Sequence, residues 1–391
     1  MKRLSAQYII TNSGPPLKRG IITADDEGTI TGVADTGGAP DESHHLEFYN
    51  GIIIPGFVNC HSHLELSCMK GRIDGGKGLG DFIMKVRSTR ETDPLAILSA
   101  AASADREMHD DGVELCADTC NTSSTFSYKK KSRVRYINLL EIFGIDPLKA
   151  EKRMNDLRTL SAEAENSGLP WQLVPHSVYS VSLPLLRLLK NESLENKITS
   201  IHFIESESEH TFLCQHSGSL KKSYENSGLL PSRLEMATDH ATAILEEVTG
   251  SGNLILVHNT FIERRIITSI NNRGNTFWCL CPRSNLFVEN SIPPVNLLIS
   301  EGCEIVIGTD SLASNSSPGI LDELKTLQHH FPLAGLEELV RWATLNGARA
   351  LHEDQKYGQI KPGMKPGLIL LENLDLENFK LLPETTVKRL L

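Results

Sequence analysis

The chain has 391 residues, enough to bury a large core, and 40% hydrophobic with 23% charged residues fits a folded globular protein rather than a disordered one. Its 39 basic against 49 acidic residues give a formal charge of −10 and a pI near 5.8, which argues against general binding to nucleic acid or anionic membranes. No apolar run reaches the roughly 18 residues that a membrane span needs, and the opening MKRLSAQYIITNSG has neither the apolar core nor the small-residue site of a signal peptide.

Residues 1–50 read as short strands broken by turns, since YIIT, GIITADDEGTITGVA and HLEFYN carry β-branched and alternating apolar positions between Gly and Asp-Asp turns. From residue 52 the texture changes. IIIPGFV is a continuous apolar run, the pattern of a strand buried on both faces. Further strands are expected near Glu114–Asp118, Val134–Leu139, Trp171–His176, Thr199–Ile204, Asn253–His258, Thr276–Leu280 and Glu304–Gly308. Helical patterns fall between many of them, at Pro94–His109, Leu148–Glu165, Arg233–Glu247 and Ile262–Asn271. Eight strands alternating mostly with helices imply an α/β chain with a parallel (β/α)8 barrel. The tail YGQIKPGMKPGLILLEN returns to strand texture and is expected to pair with the N-terminal strands, because neither segment would bury its own face alone.

Two features along the way read as bland. The cysteines include no CxxC pair, although Cys116 and Cys120 are four apart and Cys279 and Cys281 two apart, so they read as small buried side chains in a reducing, cytoplasmic setting. The basic cluster from Lys129 to Arg135 reads as a solvated loop.

In a barrel the catalytic side chains come from the C-terminal ends of the strands, and polar residues interrupt the apolar strands here at those ends. In PGFVNCHSHLELS, His61 and His63 are two apart and share one face of an extended strand, so both imidazoles can grip one divalent ion. In ITSIHFIES, His202 ends a strand and Glu205 follows three residues on, a third imidazole and a carboxyl beside it. His258 ends LILVHNT and Asp310 follows EIVIGT, where a buried carboxylate is costly unless paired or ligated. His176, in LVPHSVYS, ends a fifth strand, with substrate contact and a structural histidine both open. A helix cap for Asp310 and a hydrogen-bonded core role for His258 are the competing readings. Five strand ends carrying His or Asp in one chain favour the site.

These residues resemble a known family. PGFVNCHSH, HFIE, VHN, PRSN and IGTDS occur in the order and spacing of the amidohydrolase superfamily, in the branch of cytosine, guanine and S-adenosylhomocysteine deaminases and triazine chlorohydrolases. The resemblance implies a small β-sandwich-like domain from residues 1–50 and 355–391 and a metal-dependent barrel over 51–354. It implies His61, His63, His202 and Asp310 as ligands of one divalent metal, zinc first and iron second. Glu205 would protonate a ring nitrogen, Asp310 would take the proton of the attacking water, and His258 would orient that water. WQLVPHS has no lysine for a carbamate bridge between two metals, and no PCxxC follows His63-Leu64-Glu65, which removes the other zinc deaminase class.

The function expected is hydrolytic deamination of a purine- or nucleoside-like ring, adenosine-type compounds such as S-adenosylhomocysteine, methylthioadenosine or aminodeoxyfutalosine being candidates. The alternative is hydrolysis of a cyclic amide or a chlorinated ring at the same metal. Glu65 can touch substrate or brace the first strand, and Arg283 in CPRSN can meet an anionic group or form a structural ion pair. Phe82 and Trp278 read as aromatic core rather than stacking surface. The expected partner is a small heterocyclic substrate, with no nucleic acid or membrane, and a homodimer is left open.

Overall fold

The computed structural model describes residues 1–39, 45–90, 93–237, 239, 243, 246–248, 250 and 252–391. Eight parallel strands form its centre: β1 (Phe57–Ser62), β2 (Val113–Cys120), β3 (Arg135–Ile142), β4 (Trp171–Pro175), β5 (Ile198–Phe203), β6 (Asn253–His258), β7 (Thr276–Leu280) and β8 (Glu304–Ile307). They pair in sequence order as two four-stranded arcs, β1 to β4 and β5 to β8. Parallel bridges join the arcs at Ser177 to His202 and at Ser62 to Asp310, closing a (β/α)8 barrel.

Side chains of a strand alternate faces, and the packing follows that period. Val58 and Cys60, Leu115 and Ala117, Ile137 and Leu139, Ile255 and Val257, and Phe277 and Cys279 share one buried cluster. Cys116, Tyr136, Leu140, Leu254, Leu256, Trp278 and Leu280 belong to the larger cluster with the helices. Among those helices are Pro94–Asp110, Ala150–Asn166, Arg264–Asn271 and Ile320–His330. Pro94–Asp110 starts where expected because the Asp93 carboxylate caps the Leu95 N–H and a proline occupies the first turn. The expected helix over Arg233–Glu247 lies partly outside the described residues; 233–237 and 239 are not helical, whereas 243 and 246 are.

Both ends of the chain meet in one seven-stranded sheet. Thr386–Arg389, Leu368–Glu372, Leu46–Pro55, Lys2–Ile9, Ile21–Ala24 and Ile30–Ala34 lie side by side in that order, with Leu17–Lys18 paired to Lys2–Ile9. Leu368 opposes Pro55 and Leu371 opposes Ile52, so the tail does pair with the N-terminal segment.

The first apolar run is not one strand. Ile52–Ile54 finish a strand of the terminal sheet, whereas Phe57 begins β1, and Gly56 is the turning point. Its N–H reaches the carbonyls of Pro366 and Gly367, both at 3.2 Å, and a Cβ there would sit 2.3 Å from Cγ of Glu114. A second correction concerns the basic cluster. Lys129 is not solvated: it closes the short helix Phe126–Lys129 and lies 4% exposed against the outer side of β2 and β3.

Candidate metal centre

The strand ends converge as the barrel requires. His61 sits where the register between β1 and β2 slips, between Asn59 and Ser62, the kind of irregularity that re-aims side chains at barrel rims. Nε2 of His61 lies 3.2 Å from Nε2 of His63 and 3.5 Å from Oδ1 of Asp310, and Nε2 of His63 lies 3.6 Å from that same oxygen. Donor atoms of His61, His202, His258 and Asp310 all fall within 4.8 Å of one another.

Neighbouring groups fix how these rings point. Nδ1 of His202 is 2.7 Å from the carbonyl of His176, which makes it the protonated nitrogen and leaves Nε2 a bare acceptor. Nδ1 of His258 is 3.1 Å from Oδ1 of Asn285. Asp310 takes hydrogen bonds on Oδ2 from Ser284 at 2.6 Å and Ser314 at 2.8 Å, which leaves Oδ1 for the histidines. Nδ1 of His61 is buried with no hydrogen-bond partner.

This donor set fits a divalent ion. Metal–nitrogen bonds of about 2.0–2.1 Å in a tetrahedron imply ligand separations of about 3.4 Å, close to the 3.2, 3.5 and 3.6 Å seen here. Burial holds the His61 imidazole down to about 4, so it is neutral with a lone pair to give. Burial would push the Asp310 carboxyl up, but His61 and the other imidazoles overrule it and hold it well below the usual range, as a carboxylate. Imidazole nitrogens and an anionic oxygen packed this closely could hold a divalent cation among them.

Glu205 faces the centre from the turn after β5. Its Oε1 accepts the Tyr179 hydroxyl at 2.5 Å, and its Oε2 lies 3.7 Å from Nε2 of His258. Burial raises its pKa to about 7. The turn that presents it is strained, since Ile204 has φ +47°, rare for a β-branched residue. Buried Glu209 holds this turn by accepting the N–H of Ile204 at 3.2 Å and of Glu205 at 2.9 Å. His258 and Asp310 also have positive φ, at 78° and 57°.

Other expected contacts are placed with equal definition. His176 donates from Nδ1 to Oε1 of Glu141 at 2.8 Å, and its ring centre is 4.4 Å from that of His202. Burial works against both charges, yet the pair prevails, with the Glu141 carboxyl at about 2 and the His176 imidazole raised. Glu65 braces the loop after β2 through Thr122 Oγ1 at 2.7 Å and the Thr122 N–H at 3.0 Å, and it pairs with Arg90 at 2.9 Å. Arg283 is tied to Asn315 at 3.0 Å and Ser316 at 2.5 Å, beside the Asp310 loop. Trp278 is fully buried, and Phe82 is partly buried against the core.

Glu141 and Tyr179 were not singled out from sequence. Glu141 interrupts the apolar stretch YINLLEI one residue before its end, a signal like the one that marks the histidines. Tyr179 carries no such signal, because its role depends on a loop fold.

A sequence profile of the amidohydrolase family matches residues 52–390. The adenosine deaminase of Helicobacter pylori is 27% identical over 323 residues, covering 78% of this chain and 75% of that protein. The 5-methylthioadenosine/S-adenosylhomocysteine deaminase of Pyrococcus abyssi is 25% identical over 361 residues, covering 86% and 77%. The crystal structure of Helicobacter pylori aminofutalosine deaminase in complex with methylthio-coformycin shares the fold over 100% of both chains, with a TM-score of 0.80 at 22% identity. Among the described residues no helix is long and apolar enough to cross a membrane.

Proposed function

This chain belongs to the amidohydrolase family, and from that premise we propose that it is a metal-dependent aminohydrolase acting on an adenosine-type ring. The observation that carries the reading is the meeting, at one barrel end, of buried imidazoles with the Asp310 and Glu205 carboxyls. We assign His61, His63, His202 and Asp310 to the metal, zinc before iron, since imidazole nitrogen with one carboxylate oxygen suits both. Bound there, a divalent ion supplies Lewis acidity and water with a pKa of about 7.

The chain's own residues carry the protons. Asp310, anchored by Ser284 and Ser314 and held ionised, accepts the proton of the attacking water. Glu205 has one oxygen occupied by Tyr179, so its other oxygen gives a proton to the ring nitrogen and makes the adjacent carbon electrophilic. His258 has a nitrogen within 4.8 Å of the donor atoms of His61, His202 and Asp310, and its Nε2 lies 3.7 Å from Oε2 of Glu205, where it orients the attacking water. Return of the proton from Asp310 to the exocyclic nitrogen lets ammonia leave, and the hydroxyl proton of the adduct passes to Glu205 as the ring carbonyl forms.

Space for a substituent on the nucleoside opens beside Glu141. A cavity of about 440 Å³ is lined there by apolar Ile97, Ile142, Phe143 and Leu157 and by charges of both signs, Arg90 and Arg153 with Glu65, Glu141 and Asp156. The relatives that act on 5-methylthioadenosine and S-adenosylhomocysteine support a substrate substituted at the 5′ side rather than a bare base.

The test is ammonia release by zinc- and iron-loaded protein across adenosine, its 5′-substituted derivatives, guanine, cytosine and pterins. Rapid release from the adenosine group is expected. Silence across that group with metal bound would overturn the reading in favour of an amide or halide substrate.

A further inference from the structure

The buried lysine of the basic cluster has a partner that leads straight to the histidine pair. Nζ of Lys129 meets Oδ2 of Asp118, Oδ1 of Asn138 at 2.8 Å and Sγ of Cys120 at 3.0 Å, which uses all three of its protons. Its charge also lies 5.3 Å from the ring centre of Tyr136 and 5.7 Å from that of Phe126. The other carboxylate oxygen of Asp118 accepts the Ser62 hydroxyl at 2.6 Å and the Leu64 N–H at 2.7 Å. Those two residues flank His63, and Ser62 follows His61. Ser62 is also the bridge partner of Asp310 across the barrel closure.

An ion pair buried this fully adds little to stability, because the cost of desolvating both charges offsets their attraction. What it does supply is direction. The ammonium pins one oxygen of Asp118 against the outer side of the sheet, which aims the other at the backbone on both sides of His63.

We infer that Asp118 and Lys129 form a positioning pair that holds Ser62 and Leu64, and through them sets the register of His61 and His63 at the metal. The pair touches neither substrate nor metal. Its loss acts on metal affinity, which groups of this kind shift about 10–100-fold. The inference rests on the assignment of His61 and His63 as metal ligands.

The experiment measures the zinc dissociation constant of the full chain by competition with a chromophoric chelator, well below the unfolding temperature. In Asp118→Asn/Lys129→Met both charges are removed together, so neither is stranded, and zinc affinity is expected to fall about 10–100-fold. Ser62→Ala breaks one hydrogen bond with the ion pair intact. It is expected to weaken zinc several-fold, and Ser62→Thr, which keeps the hydroxyl, to restore it. Ile22→Ala in the terminal sheet lowers stability alone, so its zinc affinity should match the parent. Parent affinity in both Ser62→Ala and the double variant would overturn the positioning role while leaving the ligands in place. Parent affinity in His61→Asn, or a parent that does not bind zinc, would instead remove the ligand assignment and the inference with it.

Discussion

Tyr179 donates its phenolic proton to Oε1 of Glu205 across 2.5 Å, while Oε2 of the same carboxyl faces His258 at 3.7 Å. The two oxygens of this carboxyl are therefore unequal. Burial raises Glu205 to about 7, and the Tyr179 hydroxyl pulls the other way by favouring the carboxylate. If the protonated form serves the ring nitrogen, kcat/KM should be flat below about 7 and fall tenfold per pH unit above it. Tyr179→Phe removes the donor, so the apparent pKa should rise and the alkaline limb move up by about one pH unit, as expected for a hydrogen bond of about 1.4 kcal/mol. Glu205→Gln should lower kcat by about 10²–10⁴. A limb that stays in place in Tyr179→Phe would mean that another group titrates.

Asp310→Asn keeps the shape of the side chain and one acceptor oxygen but removes the charge between His61 and His63. Turnover should be lost while thermal unfolding stays within a few degrees of the parent. Ammonia release and a melting curve on the same preparation check both parts. Near-normal turnover would dismiss Asp310 as the proton acceptor.

The proposed site was legible in the sequence because each of its residues interrupts or follows an apolar strand. His202, His258 and Asp310 stand out at strand ends against Ile, Val and Leu, and the barrel brings every such end to one rim. Groups that act on those residues were harder to find. Glu141 shares the strand-end signal but lies two residues past the strand expected over Val134–Leu139. Asp118 lies inside β2, and its value depends on a lysine eleven residues later whose neighbours, Lys130 and Lys131, disguise it as surface. Local composition cannot tell which lysine of a run turns inward when a four-residue helix decides it. The split of IIIPGFV was hidden for a related reason. Both halves are equally apolar, and only the contacts of Gly56 with residues 366 and 367 show that the chain changes sheets there.

That contact makes Gly56 a test of the join between sheet and barrel. A methyl group there would lie 2.3 Å from Cγ of Glu114 and 2.9 Å from the Pro366 carbonyl. Gly56→Ala should therefore destabilise the chain by about 1–3 kcal/mol, read as a lower Tm, with little change in turnover measured well below that temperature. An unchanged Tm would show that the two segments part without cost.

Substrate choice is expected to depend on Arg153. Its guanidinium lies 5.5 Å from the ring centre of Phe143, whose own ring is 6.2 Å from that of His176, so one aromatic side chain links the cavity to the centre. Arg153 forms no ion pair with a carboxylate among the described residues, whereas Arg90 is engaged by Glu65. A cation over an aromatic ring at the edge of an apolar cavity suits a 5′ substituent that is apolar along its length and anionic at its end. Arg153→Ala should raise KM about tenfold for such a substrate, the scale of one partly exposed charge-assisted contact of about 1.4 kcal/mol, and leave KM for adenosine within twofold. The kcat values should not change for either, because Arg153 is remote from the proton carriers. The decisive quantity is the ratio of the two KM changes. A rise of equal size for neutral and anionic substrates would mean that Arg153 only packs against Phe143, and the anionic end would then have to lie on another side of the barrel mouth.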